Sequence, residues 1–166
     1  MSFIKRLIYS VRVMEGIYPL CGGAVLLLLG IVTLLSSQCH PIYVLMLLPR
    51  SALPFWLFAL LGILLFFLLG VGAGCLFALP GCKKQGYFPL LLYVTATVLM
   101  ISWYHVLFRS FGILTSAFLL LAILCLQILA IRKTAQHNPL SAVVTAIACL
   151  ITLHFIWLNI GLLFLN

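Results

Sequence analysis

Residues 49–70 read PRSALPFWLFALLGILLFFLLG, and this stretch decides the fold. Pro49 and Pro54 bracket a short polar break, and Phe55, Trp56 and Phe58 lead into an unbroken apolar run. Proline suits the first turn of a helix, where its missing N–H has no intrahelical partner to lose. Aromatic rings beside it suit a membrane–water boundary. No charged residue occurs from Leu53 to Leu79, and that run exceeds the roughly 20 residues a helix needs to cross a bilayer. The pattern predicts a spanning helix over about 53–79, the second of five.

Composition points the same way. The chain has 166 residues, 66% hydrophobic and only 6% charged, with a mean hydropathy of +1.37. A soluble domain carries about a quarter charged residues. The expected solvent is therefore the lipid bilayer, and the expected class is an all-α integral membrane bundle in one domain, residues 1–166. Nine Lys+Arg face a single acid, Glu15, for a net charge of +8. In so apolar a chain this balance marks cytoplasmic loops, and nucleic acid is not an expected partner.

The remaining spans fall at about 17–35, 88–108, 111–131 and 140–164. Residues 1–15 place Phe3, Ile4, Leu7, Ile8 and Val11 on one helical face, as an interfacial helix or as a basic flank of the first span. Residues 36–50 are too broken for a continuous helix and too apolar for a free loop, which suggests a partly inserted lid. Lys5, Arg6, Arg12, Lys83, Lys84, Arg132 and Lys133 fall on one side, with only Arg50 and Arg109 on the other. Seven against two places the N-terminus in the cytoplasm and the C-terminus outside. Gly70 and Gly74 form a GxxxG, a mark of close helix packing within the bundle or across a homodimer.

Little here supports catalysis. One acid allows no carboxylate pair for acid–base work, and no phosphate-binding glycine loop is present. The six cysteines contain no CxxC pair and read as small buried hydrophobes; no metal site is expected. His105 and His154 lie within spans, where an ionisable group is a functional candidate. Asn159 reads as an interhelical hydrogen bond that fixes the last span.

The ordered set of motifs resembles the TspO/MBR family, the tryptophan-rich sensory proteins and the translocator protein or peripheral benzodiazepine receptor. Pro49, Pro54, Trp56, Phe58, Leu65, Phe66 and Gly70 match that family's second-helix pattern without a gap. Tyr43 corresponds to its lid tyrosine, and Met100, Trp103, Leu107 and Phe108 to its third-helix pattern. Leu158, Asn159, Leu165 and Asn166 correspond to its C-terminal pair of Leu-Asn steps. The resemblance implies five spanning helices and a pocket for porphyrins, sterols or isoquinoline and benzodiazepine drugs. It assigns that pocket to Tyr43, Gly62, Phe66, Met100, Trp103, Ile151 and Phe155.

The departures bear on the chemistry. Gly62 stands where the family has a tryptophan, Met100 where it has an asparagine, and Ile147, Ala148 and Ile151 where it has P-Y-x-x-W. The porphyrin breakdown credited to pocket tryptophans in the family is therefore not expected. No cofactor is required; a porphyrin- or haem-like molecule enters as ligand. The expectation is a sensor or carrier of a flat hydrophobic ligand in a bacterial cell membrane. The alternative is a membrane scaffold that has lost its pocket, with Gly62 in contact with a neighbouring helix.

Overall fold

Proline punctuates this structure, a computed structural model that describes residues 4–5, 17–49, 52–78, 87–135 and 138–165. Helix α1 (Ile17–Ser36) carries Pro19 in its first turn, and the short α2 (Cys39–Leu45) carries Pro41 in its own. Pro54 immediately precedes α3 (Phe55–Ala78), Pro89 is the second residue of α4 (Phe88–Arg109), and Pro139 is the first of α6 (Pro139–Leu165). Each of these prolines thus sits where a helix tolerates it. Helix α5 (Ile113–Thr134) follows α4 after a tight turn in which Phe111 takes a positive φ of 50° and reverses the chain.

The chain is all-helical among the described residues, and α1, α3, α4, α5 and α6 are long and apolar enough to cross a membrane. It is an integral membrane protein. Large apolar side chains cover the outside, among them Val25, Leu28 and Val32 of α1 and Phe118, Leu121 and Ile128 of α5. That is the expected surface when lipid is the solvent, because tails are as apolar as leucine. Trp56 and Trp157 also face outward, near the same end of the bundle. The segment 1–15 lies outside the described residues except for Ile4 and Lys5, which are helical and exposed. Arg50, the 80–86 turn with Lys83 and Lys84, and Asn166 also lie outside them.

Helices α3, α4, α5 and α6 form a ring, and α1 packs on the outside of α3. The α1–α3 contact is backbone against backbone. A Cβ on Gly70 would run into the Gly22 carbonyl, and one on Gly74 would lie 2.7 Å from Pro19 Cα. Small residues that let backbones approach are how helices associate without a hydrophobic drive. The Gly70–Gly74 spacing is therefore engaged inside the chain.

At the end of the bundle shared by the starts of α1, α4 and α6, hydrogen bonds tie three helices together. Asn138 Oδ1 accepts from Ser141 N at 3.2 Å, a side-chain N-cap for α6. Its Nδ2 donates to Cys75 O at 2.6 Å, a carbonyl in the last described turn of α3. Ser141 Oγ donates to Gly72 O at 2.9 Å. The Tyr93 hydroxyl of α4 lies 2.9 Å from Ser141 Oγ and 2.6 Å from Thr145 Oγ1. Lys133 at the end of α5 sits over the Phe88 ring, 5.9 Å from its centroid.

Candidate functional site

Towards the opposite end, the ring of helices closes around aromatic side chains. Phe58 and Phe66 come from α3, Trp103, Tyr104 and Phe108 from α4, and Phe155 from α6; all six are fully buried. Trp103 stacks on Phe155 at 5.3 Å and meets Tyr104 edge-on at 4.7 Å. Tyr104 stacks between Phe66 at 6.3 Å and Phe108 at 6.0 Å. Phe58 touches Trp103, Tyr104, Phe108 and Phe155, with centroids 5.3–6.4 Å apart. These separations are those of favourable offset and edge-to-face pairs.

The residues the sequence assigns to a pocket gather here. Phe66, Trp103 and Phe155 are part of the ring cluster. Met100 lies one turn before Trp103 on α4, and Ile151 one turn before Phe155 on α6; both belong to the same buried core. Gly62 lies on α3 between Phe58 and Phe66 and faces α4: the Tyr104 hydroxyl stands where a Gly62 Cβ would be. That hydroxyl is buried and has no hydrogen-bond partner among the described residues. Leaving such a group unpaired costs about 1–3 kcal/mol.

Sequence reasoning missed Tyr104 as a neighbour of the site, and it matched Phe58 and Phe108 to the family's helix patterns without assigning either to the pocket. A usable signal was present, since Trp103-Tyr104 with Leu107-Phe108 puts two bulky residues per turn on one face of α4. A buried polar set holds the indole. With its Oδ1 turned towards the indole, Asn159 accepts from Trp103 Nε1 at 3.2 Å and from Ser116 Oγ at 2.9 Å, while its Nδ2 donates to Ile113 O at 3.1 Å. This is an interhelical bond of the kind expected for Asn159, extended to a third helix.

Residues 36–49 close the end of the bundle over these rings. Gln38 breaks the chain with a left-handed φ of 54°, and the seven-residue α2 follows. Tyr43 is buried, donates to Leu53 O at 2.5 Å, and packs on Phe55 and Phe58 at 5.7 and 4.9 Å. His40 lies edge-on to Phe55 at 4.7 Å. Pro49 rests on Gly161 near the end of α6, its Cγ 2.9 Å from where a Cβ would be.

Cys39 at the start of α2 is 1% exposed and contacts Ser37 Oγ at 2.7 Å. Burial pushes its thiol up to about 11, with the Ser37 hydrogen bond opposing in part. Two results follow. Iodoacetamide at pH 8 spares Cys39 in the folded protein and labels it after denaturation; equal labelling would mean that this end of the bundle is open. Because the folded state prefers the neutral thiol, its contribution to stability is complete below about pH 9 and is lost as pH rises towards 11.

Among the described residues no group of three or more potential metal ligands occurs. No known protein family, curated protein or solved structure matches the chain.

Proposed function

We propose that this chain is a diverged membrane protein of the TspO/MBR type that binds a flat, hydrophobic ligand of the porphyrin class between α3, α4 and α6. It acts as a sensor or carrier of that ligand, with its N-terminus cytoplasmic and α2 on the outer side. One observation carries the reading: the Tyr104 ring fills the space against Gly62 while its hydroxyl goes unpaired. A side chain held at such a cost is readily displaced, because any position that gives the hydroxyl a partner recovers about 1–3 kcal/mol.

In this reading Tyr104 is a plug. Its ring swings away, and the ligand's flat face takes its place in the stack against Phe66 and beside Trp103. The lack of a side chain at Gly62 leaves the α3 wall flat enough for a broad ring. Tyr43 and the 36–49 segment cover the ligand from the outer end. Bound ligand then stabilises the bundle by mass action. The basic residues Arg132 and Lys133, at the end away from α2, support the cytoplasmic placement of that end.

The test uses Trp103 as its own reporter. Trp56→Phe and Trp157→Phe leave it as the sole tryptophan of three. Protoporphyrin IX should quench it saturably in detergent. Tyr104→Ala should tighten binding by removing the plug, and Tyr104→Phe should weaken it several-fold by relieving the unpaired hydroxyl of the closed form. Quenching that is linear in protoporphyrin and indifferent to both substitutions would overturn the reading.

A second reading has an observation of its own. Gly62 already touches a neighbouring helix, and the six rings interlock at zero exposure. On that reading the centre is solid, and the chain is a membrane scaffold that binds partner proteins. Tyr104→Ala would then only destabilise the fold, and no saturable quenching would be seen.

A further inference from the structure

Gln127 lies in the middle of α5, on the stripe formed by Leu120, Ile123, Ala130 and Thr134, all of them buried. That stripe faces the bundle, and Gln127 is 1% exposed. Neither Nε2 nor Oε1 has a hydrogen-bond partner among the described residues. An amide in the hydrocarbon layer with both ends unpaired is the costliest neutral side chain to leave so, since lipid offers it nothing.

The helix register shows what surrounds it. Ser116 of α5 pairs with Asn159 of α6 at 3.0 Å, and the two helices run antiparallel. The same number of residues counted along each brings Gln127 level with Ala148, and counting from the 110–112 turn brings it level with Thr95 of α4, next to Ala96. Both alanines are buried and small. Of the hydroxyls nearest in register, Thr97, Thr145 and Thr152 each donate to a carbonyl of their own helix, and Thr95 is half-buried. None of these hydroxyls is bonded to the Gln127 amide.

We propose that Gln127 is the anchor of a second ligand site, distinct from the aromatic cluster, for a lipophilic molecule whose head presents a donor and an acceptor on one carbon. A primary carboxamide or an un-ionised carboxylic acid has that pattern, and pairs with the glutamine amide through two hydrogen bonds in one plane. The apolar tail lies along the alanines of α4 and α6. The site shares no residue with the proposed porphyrin site, so either can fail alone.

The probes are hexadecanamide, its N,N-dimethyl derivative, and hexadecane. The readout is the side-chain amide resonance of Gln127 in the full chain labelled with 15N-glutamine, assigned by its loss in Gln127→Leu. Hexadecanamide should shift that resonance saturably. The dimethyl derivative, which lacks the donor, should bind at least tenfold more weakly, and hexadecane should leave the resonance in place. Native mass spectrometry should show retained hexadecanamide on the wild type and at least tenfold less on Gln127→Leu. Gln127→Asn, which keeps the amide but shortens its reach, should fall between them. Should Gln127→Leu fail to fold, the ranking of the three probes on the wild type decides alone. Equal binding of amide and dimethyl amide, or no saturable shift, overturns the proposal and leaves Gln127 a purely structural group.

Discussion

Gly70→Leu strips α1 from the bundle. A side chain at Gly70 has nowhere to go: its first carbon meets the Gly22 carbonyl, and its next nearest neighbours are Gly22 C at 2.7 Å and Gly23 Cα at 3.0 Å. All of these are backbone, so no rotamer change makes room. The two helices must separate, and the dispersion contacts that hold them are lost together. The expected loss is at least about 3 kcal/mol, comparable with the strongest core substitutions. For a chain of this size that lowers the thermal midpoint in detergent by on the order of 10 °C. Gly23→Ala is the control, because its Cβ meets only the ends of Phe67 and Val71, at 2.7 and 2.9 Å, which can turn aside. It should cost far less. If the two variants melted together, the close approach of α1 and α3 would not be what fastens the first span.

Trp103→Ala is expected to be nearly as damaging. The indole is fully buried, stacked on Phe155, edge-on to Tyr104, and bonded through Nε1 to Asn159 at 3.2 Å. Removing it leaves a void among five rings and takes a partner from a buried amide. Large-to-small changes of this kind cost about 3–5 kcal/mol. Trp103→Phe keeps a ring and loses the N–H, so it isolates the hydrogen bond, worth about 1 kcal/mol. Unfolding in a mixed-detergent titration separates the two. A Trp103→Ala variant as stable as Trp103→Phe would mean that the ring cluster is not the centre of the fold.

The spans were legible because their ends carry strong local signals. Prolines open α3, α4 and α6, and the charges Arg109 and Arg132-Lys133 stand at the ends of α4 and α5. These signals act within a turn or two of chain. The short α2 was not legible as a helix, since Ser-Gln-Cys-His-Pro looks like a break; one left-handed residue, Gln38, makes the break, and Pro41 then sits harmlessly in the new first turn. The gathering of Phe66, Met100, Trp103, Ile151 and Phe155 at one centre could be expected from the resemblance. What fills the place of a missing side chain could not. Gly62 alone says only that space exists on α3; that a tyrosine from α4 takes it depends on the crossing of two helices remote in sequence. The unpaired state of Gln127 is hidden for the same reason, because a partner on α4 or α6 would have been equally compatible with the sequence.

Because α1 leans mainly on α3 and stands outside the ring of the other four, it is the part of the molecule that can arrive separately. During synthesis it enters the bilayer ahead of α3 and must wait, unmated, until α3 follows. A gene split between residues 36 and 39 would therefore give two polypeptides able to find each other in the same membrane, the second already carrying every ring of the central cluster.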